Sequence, residues 1–199
     1  MSAARRLVLA SGSMVRSRLL RDAGLDFDVV PSSVDEDDIK RTQQGLDTES
    51  LALVLARAKA REISQIRPKD LVIGADQILD CEGARFDKPK DKTEAASHLR
   101  RLNGRPHRLV TACTIYCGCS EVWKHESAPR LTMRSYDESF IETYLTRAGD
   151  GVLTSVGAYQ LEGLGAHLFD TIEGDYFTIL GLPLLSLLAF LRTRGLLVL

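Results

Sequence analysis

Two long segments rich in β-branched residues follow one another in the second half of the chain, and they restrict its fold more than any other feature. The first runs from Arg108 to Tyr116 and the second from Val122 to Ser135. Their composition and alternation favour extended chain, and their short connection predicts an antiparallel hairpin. A purely parallel, doubly wound sheet does not contain such a hairpin, so we expect a mixed, twisted sheet.

Shorter strands alternate with helices around this hairpin, which indicates a mixed α/β fold. The other predicted strands are short apolar runs at Leu7–Ala10, Phe27–Val30 and Leu71–Ala75. The predicted helices show apolar residues at helical spacing and are Arg16–Ala23, Ser50–Ile66, Lys92–Leu102, Tyr136–Arg147 and Pro183–Arg194. With 199 residues and 44% hydrophobic content, we expect a single domain over residues 1–199, built either as one core or as two lobes around a central cleft.

Charge and hydropathy exclude several classes of partner. Lysine and arginine total 26 against 27 acidic residues, so the net charge of −1 provides no general attraction to nucleic acid or anionic lipid. The longest apolar segment, Leu182–Leu191, is interrupted by Pro183 and Ser186 and falls short of the ~20 residues that a membrane span requires. The N-terminal sequence lacks an apolar stretch of the length of a secretory signal. We therefore expect a cytoplasmic protein that binds neither membranes nor nucleic acid.

A strand-to-helix transition near the N-terminus is a candidate anion site. Ser11 and Ser13 flank a glycine after an apolar run, and Arg16 follows where a helix is predicted to begin. The N-terminus of a helix offers unpaired N–H groups and the positive end of a dipole, so it can hold a phosphate with Arg16 as a bidentate clamp. A simple helix cap with a solvated arginine is the alternative interpretation.

Acidic residues at two further places stand out. Glu36 belongs to a run of four consecutive acidic residues after a predicted strand, which indicates either a solvated turn or a cation site. Asp76 follows the apolar strand Leu71–Ala75 and precedes further apolar residues. A carboxylate there is costly to bury without a partner, and ligands of α/β proteins bind at the ends of strands. A turn aspartate that binds neighbouring N–H groups is the alternative.

Two lysines are the remaining candidates. Lys59 lies in a helix with an apolar face, where a surface position is the ordinary interpretation. Lys88 precedes Pro89 in an extended segment and is able to reach an anion as a point charge.

Taken together, these motifs resemble the Maf family of nucleoside triphosphate pyrophosphatases. The order SxSxxR, VDE, AKA, GADQ, KP, GAYQLEGLG and GLPLL runs from Leu7 to about Arg194, which is nearly the whole chain. The usual opening of the family is LASxSPRR, so Met14 and Val15 replace its proline and its first arginine. The resemblance implies a fold similar to inosine triphosphatase, with two lobes around a cleft.

The resemblance also implies roles for individual residues. Asp76 matches the catalytic aspartate, and Glu36 matches the VDE glutamate, which together with Asp76 implies a site for Mg²⁺ or Mn²⁺. The residues that the resemblance assigns to phosphate binding are Ser11, Ser13, Arg16, Lys59 and Lys88. Asp76 acts in this interpretation as a general base on water, as a metal ligand, or as both.

Two positions bear on the nucleobase. Gln77 and Glu162 resemble the subgroup that acts on 7-methyl-GTP, whereas the subgroup that prefers dTTP or UTP tends to carry threonine and glutamine there. A carboxylate at Glu162 is able to accept from the N1–H and amino groups of guanine. The sequence leaves open whether Glu162 contacts the base or a metal.

The activity implied by the resemblance is a hydrolase activity on acid anhydrides. It cleaves a nucleoside triphosphate between the α- and β-phosphates and releases the monophosphate and pyrophosphate, in a house-cleaning role. The alternatives are a pyrophosphatase for dTTP or UTP, one for inosine or xanthosine triphosphate, and a nucleotide-binding regulator of septum formation with little catalysis. The resemblance also implies a homodimer. If the protein is a regulator of septum formation, the resemblance further implies a cell-division partner.

Overall fold

The structure is a computed structural model that describes residues 6–197. The expected lack of a secretory signal concerns in part residues 1–5, which lie outside the described residues. The chain divides into two compact units. The first unit comprises the described residues up to Gln77, together with Thr111–Ser127 and the residues from Tyr176 onward. The second unit comprises Ile78–Val110 and Ala128–Asp175.

Eight strands and seven α-helices alternate along the described chain, as expected for a mixed α/β fold. The strands are β1 (Leu7–Leu9), β2 (Phe27–Val29), β3 (Leu71–Cys81), β4 (Ala84–Phe86), β5 (Pro106–Cys117), β6 (Ser120–Ser127), β7 (Arg130–Met133) and β8 (Phe169–Glu173). The helices are α1 (Met14–Asp22), α2 (Glu36–Thr42), α3 (Thr48–Ile66), α4 (Lys92–Leu102), α5 (Glu138–Ala148), α6 (Tyr176–Ile179) and α7 (Leu184–Thr193). Short 3₁₀ helices follow α5 at Gly149–Thr154, Val156–Ala158 and Leu164–Leu168.

The sheet of the first unit combines parallel and antiparallel pairs. β1 lies between β2 and β3 and is parallel to both, with Leu7 opposite Phe27 on one side and Leu71 on the other. β5 is the next neighbour of β3, and β6 pairs with β5 in antiparallel orientation. This pair confirms the predicted hairpin and the mixed sheet.

Helices cover both faces of this sheet, because its central strands are apolar on both sides. Leu7 and Leu9 pack in one cluster with residues of α1 and α7, including Leu20 and Leu187. Val8, which points to the other face, packs with residues of α3.

A glycine allows α3 to lie directly on β3. A Cβ atom on Gly74 would lie 2.2 Å from the carbonyl oxygen of Ala56 and 2.8 Å from the Cβ of Ala60, both on α3. No side chain fits in this contact, so the backbones of the strand and the helix approach closely. This contact brings the middle of α3 over the middle of β3.

The second unit contains the final residues of β3 and the first residues of β5. β4 folds back on β3 in antiparallel orientation, through a turn at Glu82 and Gly83, which both have positive φ. β7 is antiparallel to β5 and to β8, and α4 packs against α5. Asp91 and Asp137 cap α4 and α5.

Three local predictions differ from the structure. The second arm of the hairpin is divided into β6 and β7 around Pro129, which has no N–H to donate to a strand pair. The acidic run is not a turn but the start of α2, where Asp35 accepts from the N–H of Asp38 and the acidic side chains favour the helix N-terminus. β3 continues to Cys81, so Asp76 lies inside the strand and not at its end.

The apolar segment near the C-terminus forms most of α7, which has ten residues. Over residues 6–197, the chain forms no helix with the length and apolar character needed to cross a membrane.

Candidate active site

A buried lysine lies between two carboxylates in the first unit. The Nζ atom of Lys59 is 2.7 Å from Oδ1 of Asp76 and 2.8 Å from Oε1 of Glu36. Lys59 and Asp76 are each only 7% exposed, whereas the side chain of Glu36 is 41% exposed. The interpretation of Lys59 as a surface residue is therefore wrong, and the group reaches solvent on the side of Glu36.

Three separate elements position these side chains. Lys59 lies on the same face of α3 as Ala56, Ala60 and Ile63. This face packs on the sheet. Asp76 lies on β3 two residues after Gly74, and alternation along the strand therefore points both positions toward α3. Glu36 is the first residue of α2. Elements that are separate in the sequence thus place two carboxylates on one ammonium group.

The environment of Asp76 alters its acidity. Burial raises the pKa of the Asp76 carboxyl, and the positive charges of Lys59 and Arg16 offset this effect only in part. A carboxylate whose pKa is raised accepts a proton more readily near neutral pH. Asp76 is thus a better proton acceptor than an aspartate at the surface.

The start of α1 joins this group through Arg16. Ser13 caps the helix by accepting from the N–H of Arg16 at 3.3 Å, and its own N–H donates to Oγ of Ser11 at 3.3 Å. The guanidinium of Arg16 donates through Nη1 to Ser11 Oγ at 3.2 Å and to the carbonyl of Ala75 at 2.9 Å. Nε donates to the carbonyl of Gly181 at 2.8 Å. Arg16 is thus half-buried and held by the protein, and it binds the backbone of the residue before Asp76.

Gln77 lies next to Asp76 in sequence but does not join the same group. Its Nε2 donates to Oγ1 of Thr111 and to the carbonyl of Thr178, both at 2.9 Å. Successive residues of a strand point to opposite faces, so Asp76 and Gln77 diverge. Both N–H groups of the Gln77 amide are engaged by its own unit, and the proposed contact with a base or metal stays a prediction.

Lys88 and Glu162 lie in the second unit. Lys88 is exposed between β4 and α4, and Glu162 is exposed between two of the short 3₁₀ helices. Their roles in binding phosphate and in base or metal contact stay predictions that rest on the resemblance.

The donor set of Glu36 and Asp76 suits a hard divalent cation. Among residues 6–197, no three histidine, cysteine or acidic side chains gather closely enough to form a metal site by themselves. Mg²⁺ characteristically takes one or two carboxylates from the protein and completes its shell with water and substrate phosphates. Glu36 and Asp76 provide two neighbouring carboxylates, each with a second oxygen besides the one that accepts from Lys59, and this pair fits that mode of binding.

Sequence reasoning missed the groups that hold Arg16 and Gln77. The carbonyls of Ala75, Thr178 and Gly181 and the hydroxyl of Thr111 are the acceptors. Every residue has a backbone carbonyl, so the sequence does not show which carbonyls accept these hydrogen bonds. The Gly-Leu-Pro turn before α7 is a local signal that this backbone has an unusual conformation, and Gly181 has a φ of 100°.

A comparison with known proteins identifies the family. The family model described as Maf-like protein matches residues 6–194, so this chain belongs to that family. The predicted resemblance over Leu7 to about Arg194 is confirmed.

Relatives of known name cover almost the whole chain. This chain is 51% identical to a protein of Nitrobacter hamburgensis named nucleoside triphosphate pyrophosphatase, and the match covers 96% of this chain and 95% of that protein. It is 48% identical to a protein of the same name from Paramagnetospirillum magneticum, over 94% and 98%. A protein of Rhizobium etli named 7-methyl-GTP pyrophosphatase is 46% identical, over 96% of both chains.

Proposed function

We propose that this chain is a nucleoside triphosphate pyrophosphatase. It hydrolyses the bond between the α- and β-phosphates and releases a nucleoside monophosphate and pyrophosphate. The observation that carries the proposal is the contact of Glu36 and Asp76 with the buried Nζ of Lys59. The proposal is also supported by two relatives named nucleoside triphosphate pyrophosphatase, which are 51% and 48% identical to this chain over nearly its whole length.

The start of α1 and Lys59 bind the phosphates. Oγ of Ser11 accepts from Ser13 and from Arg16, so both its lone pairs are used and its own hydroxyl hydrogen remains to donate to a phosphate oxygen. Ser13 and the first N–H groups of α1 contribute further donors. Arg16 and Lys59 supply positive charge, which reduces the repulsion between the triphosphate and an incoming water.

Glu36 and Asp76 hold Mg²⁺ or Mn²⁺ in this proposal. When bound, the cation neutralises phosphate charge and lowers the pKa of water. Asp76 takes up the proton that leaves the attacking water as the phosphoanhydride bond breaks. Before a cation binds, burial raises the pKa of Asp76, whereas a carboxyl with an ordinary pKa near 4 is a weak base at neutral pH.

The preferred substrate is a modified guanosine triphosphate, 7-methyl-GTP. The presence of Gln77 and Glu162 supports this preference, as does the name of two relatives from Rhizobium etli and Mesorhizobium japonicum at 46% and 48% identity. Glu162 accepts from the guanine edge in this interpretation, whereas a uracil ring presents acceptors on both sides of a single N–H.

A panel of nucleotides tests the proposal. UTP, dTTP, CTP, GTP, 7-methyl-GTP and ITP are incubated with the protein in Mg²⁺, Mn²⁺ or EDTA, and pyrophosphate release is measured. The Asp76→Asn variant, purified in the same way, controls for contaminating enzymes. We expect the highest kcat/KM for 7-methyl-GTP and no turnover in EDTA.

The panel also separates the alternatives. Preference for dTTP or UTP would overturn the substrate assignment but keep the reaction, and preference for ITP would do the same. Binding of a nucleotide without turnover of any would overturn the enzymatic proposal and favour a regulator.

A further inference from the structure

The segment before Glu36 meets α3 at two points. The N–H of Ser33 donates to Oε2 of Glu62 at 2.9 Å, and its hydroxyl donates to Oε1 of the same carboxylate. Glu36 contacts Lys59. Ser33 and Glu36 are separated by three positions, and so are Lys59 and Glu62, which lie on one face of α3. The two contacts are therefore in register, and they hold residues 33–36 along the helix.

Packing contributes little to the position of α2. None of its residues is buried. The Asp35 side chain caps the helix through the N–H of Asp38 at 2.9 Å, which stabilises the helical turn but does not attach it to the sheet. Apolar burial is what usually fixes a short helix on its neighbours. Polar contacts with α3 therefore carry a larger share of the placement of Glu36.

We infer that Glu62 is a positioning residue for Glu36. By binding both the N–H and the hydroxyl of Ser33, it holds the segment from which Glu36 extends toward Lys59 and Asp76. It thus determines how well the two carboxylates act together on a divalent cation. This inference rests on the proposed function for its catalytic consequence, whereas its structural and metal-binding consequences are measured separately.

Removal of the carboxylate has a definite expected effect. Glu62→Ala leaves the N–H and the hydroxyl of Ser33 to water, so residues 33–36 gain conformational freedom. Glu36 then spends less time in the position that binds metal, and we expect the Kd for Mn²⁺ to rise roughly three- to tenfold, which corresponds to the net contribution of about one ordinary hydrogen bond at an exposed position. Glu62→Gln keeps one acceptor oxygen and is expected to give an intermediate value.

Three variants and a control test the inference. Glu62→Ala, Glu62→Gln and Ser33→Ala are compared with Glu142→Ala, which removes a carboxylate from an exposed position on α5. The Kd for Mn²⁺ is measured without nucleotide from the spin-resonance signal of free Mn²⁺. Cleavage by trypsin after Arg41, which is exposed on α2, is followed by mass spectrometry. The Mn²⁺ concentration for half-maximal pyrophosphate release is the third measurement.

The expected result is a weaker Mn²⁺ affinity and faster cleavage after Arg41 in Glu62→Ala, with a smaller change in Ser33→Ala and none in Glu142→Ala. If Ser33 and Glu62 act as one contact, Ser33→Ala has no further effect in the Glu62→Ala background. An unchanged Kd in Glu62→Ala overturns the inference, even if cleavage becomes faster, and so does a wild-type protein that does not bind Mn²⁺. A wild-type protein that hydrolyses no nucleotide overturns the proposed function, while the Kd and the cleavage rate still decide the role of Glu62.

Discussion

The ammonium of Lys59 and the carboxylate of Asp76 form a buried ion pair, with Nζ 2.7 Å from Oδ1 and 9% of each side chain exposed. Removing two charges from water is expensive, and a buried ion pair often stabilises a fold no better than a pair of apolar residues. The reaction proposed above needs both charges, which would account for such a pair between α3 and β3. Substitution of each partner separates the contribution of the pair to catalysis from its contribution to stability.

Asp76→Asn is expected to remove most of the activity and to leave the fold intact. The amide keeps an oxygen that accepts from Lys59 but does not accept a proton, so pyrophosphate release should fall by roughly 10²–10⁴-fold or more. The amide still accepts from Lys59, and Glu36 still provides a counter-charge to its ammonium, so we expect the variant to stay folded at pH 7 and to lose less stability than Lys59→Met. Activity and calorimetry on the same preparation check both points. Near-normal turnover in a folded variant would contradict the assignment.

Lys59→Met is expected to impair stability as well as activity. It leaves the buried carboxylate of Asp76 without the counter-charge that it contacts directly, a change that costs about 3–5 kcal/mol in the free energy of unfolding. Lys92→Met is the matched control, since Lys92 forms an exposed pair with Asp150 and its loss should cost less than ~1 kcal/mol. Urea unfolding of the two variants and the wild type measures the difference. Equal losses would indicate that the burial of Lys59 has no special cost.

Gly74→Ala tests the contact that places Lys59 over Asp76. The new methyl group would meet the carbonyl of Ala56 at 2.2 Å, so α3 has to move away from β3. We expect a loss of roughly 1–3 kcal/mol in the free energy of unfolding. A fall in kcat should accompany it, because the Lys59 to Asp76 distance increases. Gly45→Ala is the control, since nothing lies within 4 Å of the place that its methyl group would take and its φ is not positive. A Gly74→Ala variant as stable and active as this control would show that the contact is not required.

His107 is expected to make the protein sensitive to acid. It is 2% exposed, and its Nε2 lies 2.8 Å from the hydroxyl of Tyr159 in the second unit. Burial lowers its pKa from 6.5 to about 4, so the folded state keeps it neutral while the unfolded state binds a proton. The free energy of unfolding therefore keeps its full value above pH 6.5. It decreases by roughly 3 kcal/mol as the pH falls toward 4.

Urea unfolding between pH 7 and pH 4 measures this dependence. His107→Gln is expected to flatten the pH dependence, and His167→Gln, at an exposed position, is expected to leave it unchanged. Parallel curves for the wild type and His107→Gln would assign the acid sensitivity to other groups.

Local signals predicted most of the elements of the fold. The hairpin of β5 and β6, helix α4 and the apolar strand β1 follow from alternation, helical spacing and capping residues within single segments. β4, β8 and α6 were not predicted, since each has five residues or fewer and depends on neighbouring elements for its hydrogen bonds. Helix α2 was not predicted either, because its consecutive acidic residues are also typical of a solvated turn. The extension of β3 beyond Asp76 was missed because a charged residue inside an apolar segment looks like the end of a strand.

The sequence alone determined the class of fold, the family and the identity of the candidate residues, because periodicity and motif order are properties of the linear chain. Only the tertiary structure decided that Lys59 is buried, that Glu36 and Asp76 both contact it, and that Gln77 turns away from them. The contact between α3 and β3 depends on the close approach at Gly74, and the position of Arg16 depends on bonds to backbone carbonyls. Neither leaves a periodic trace in the sequence, since each arises where segments far apart in the chain pack together.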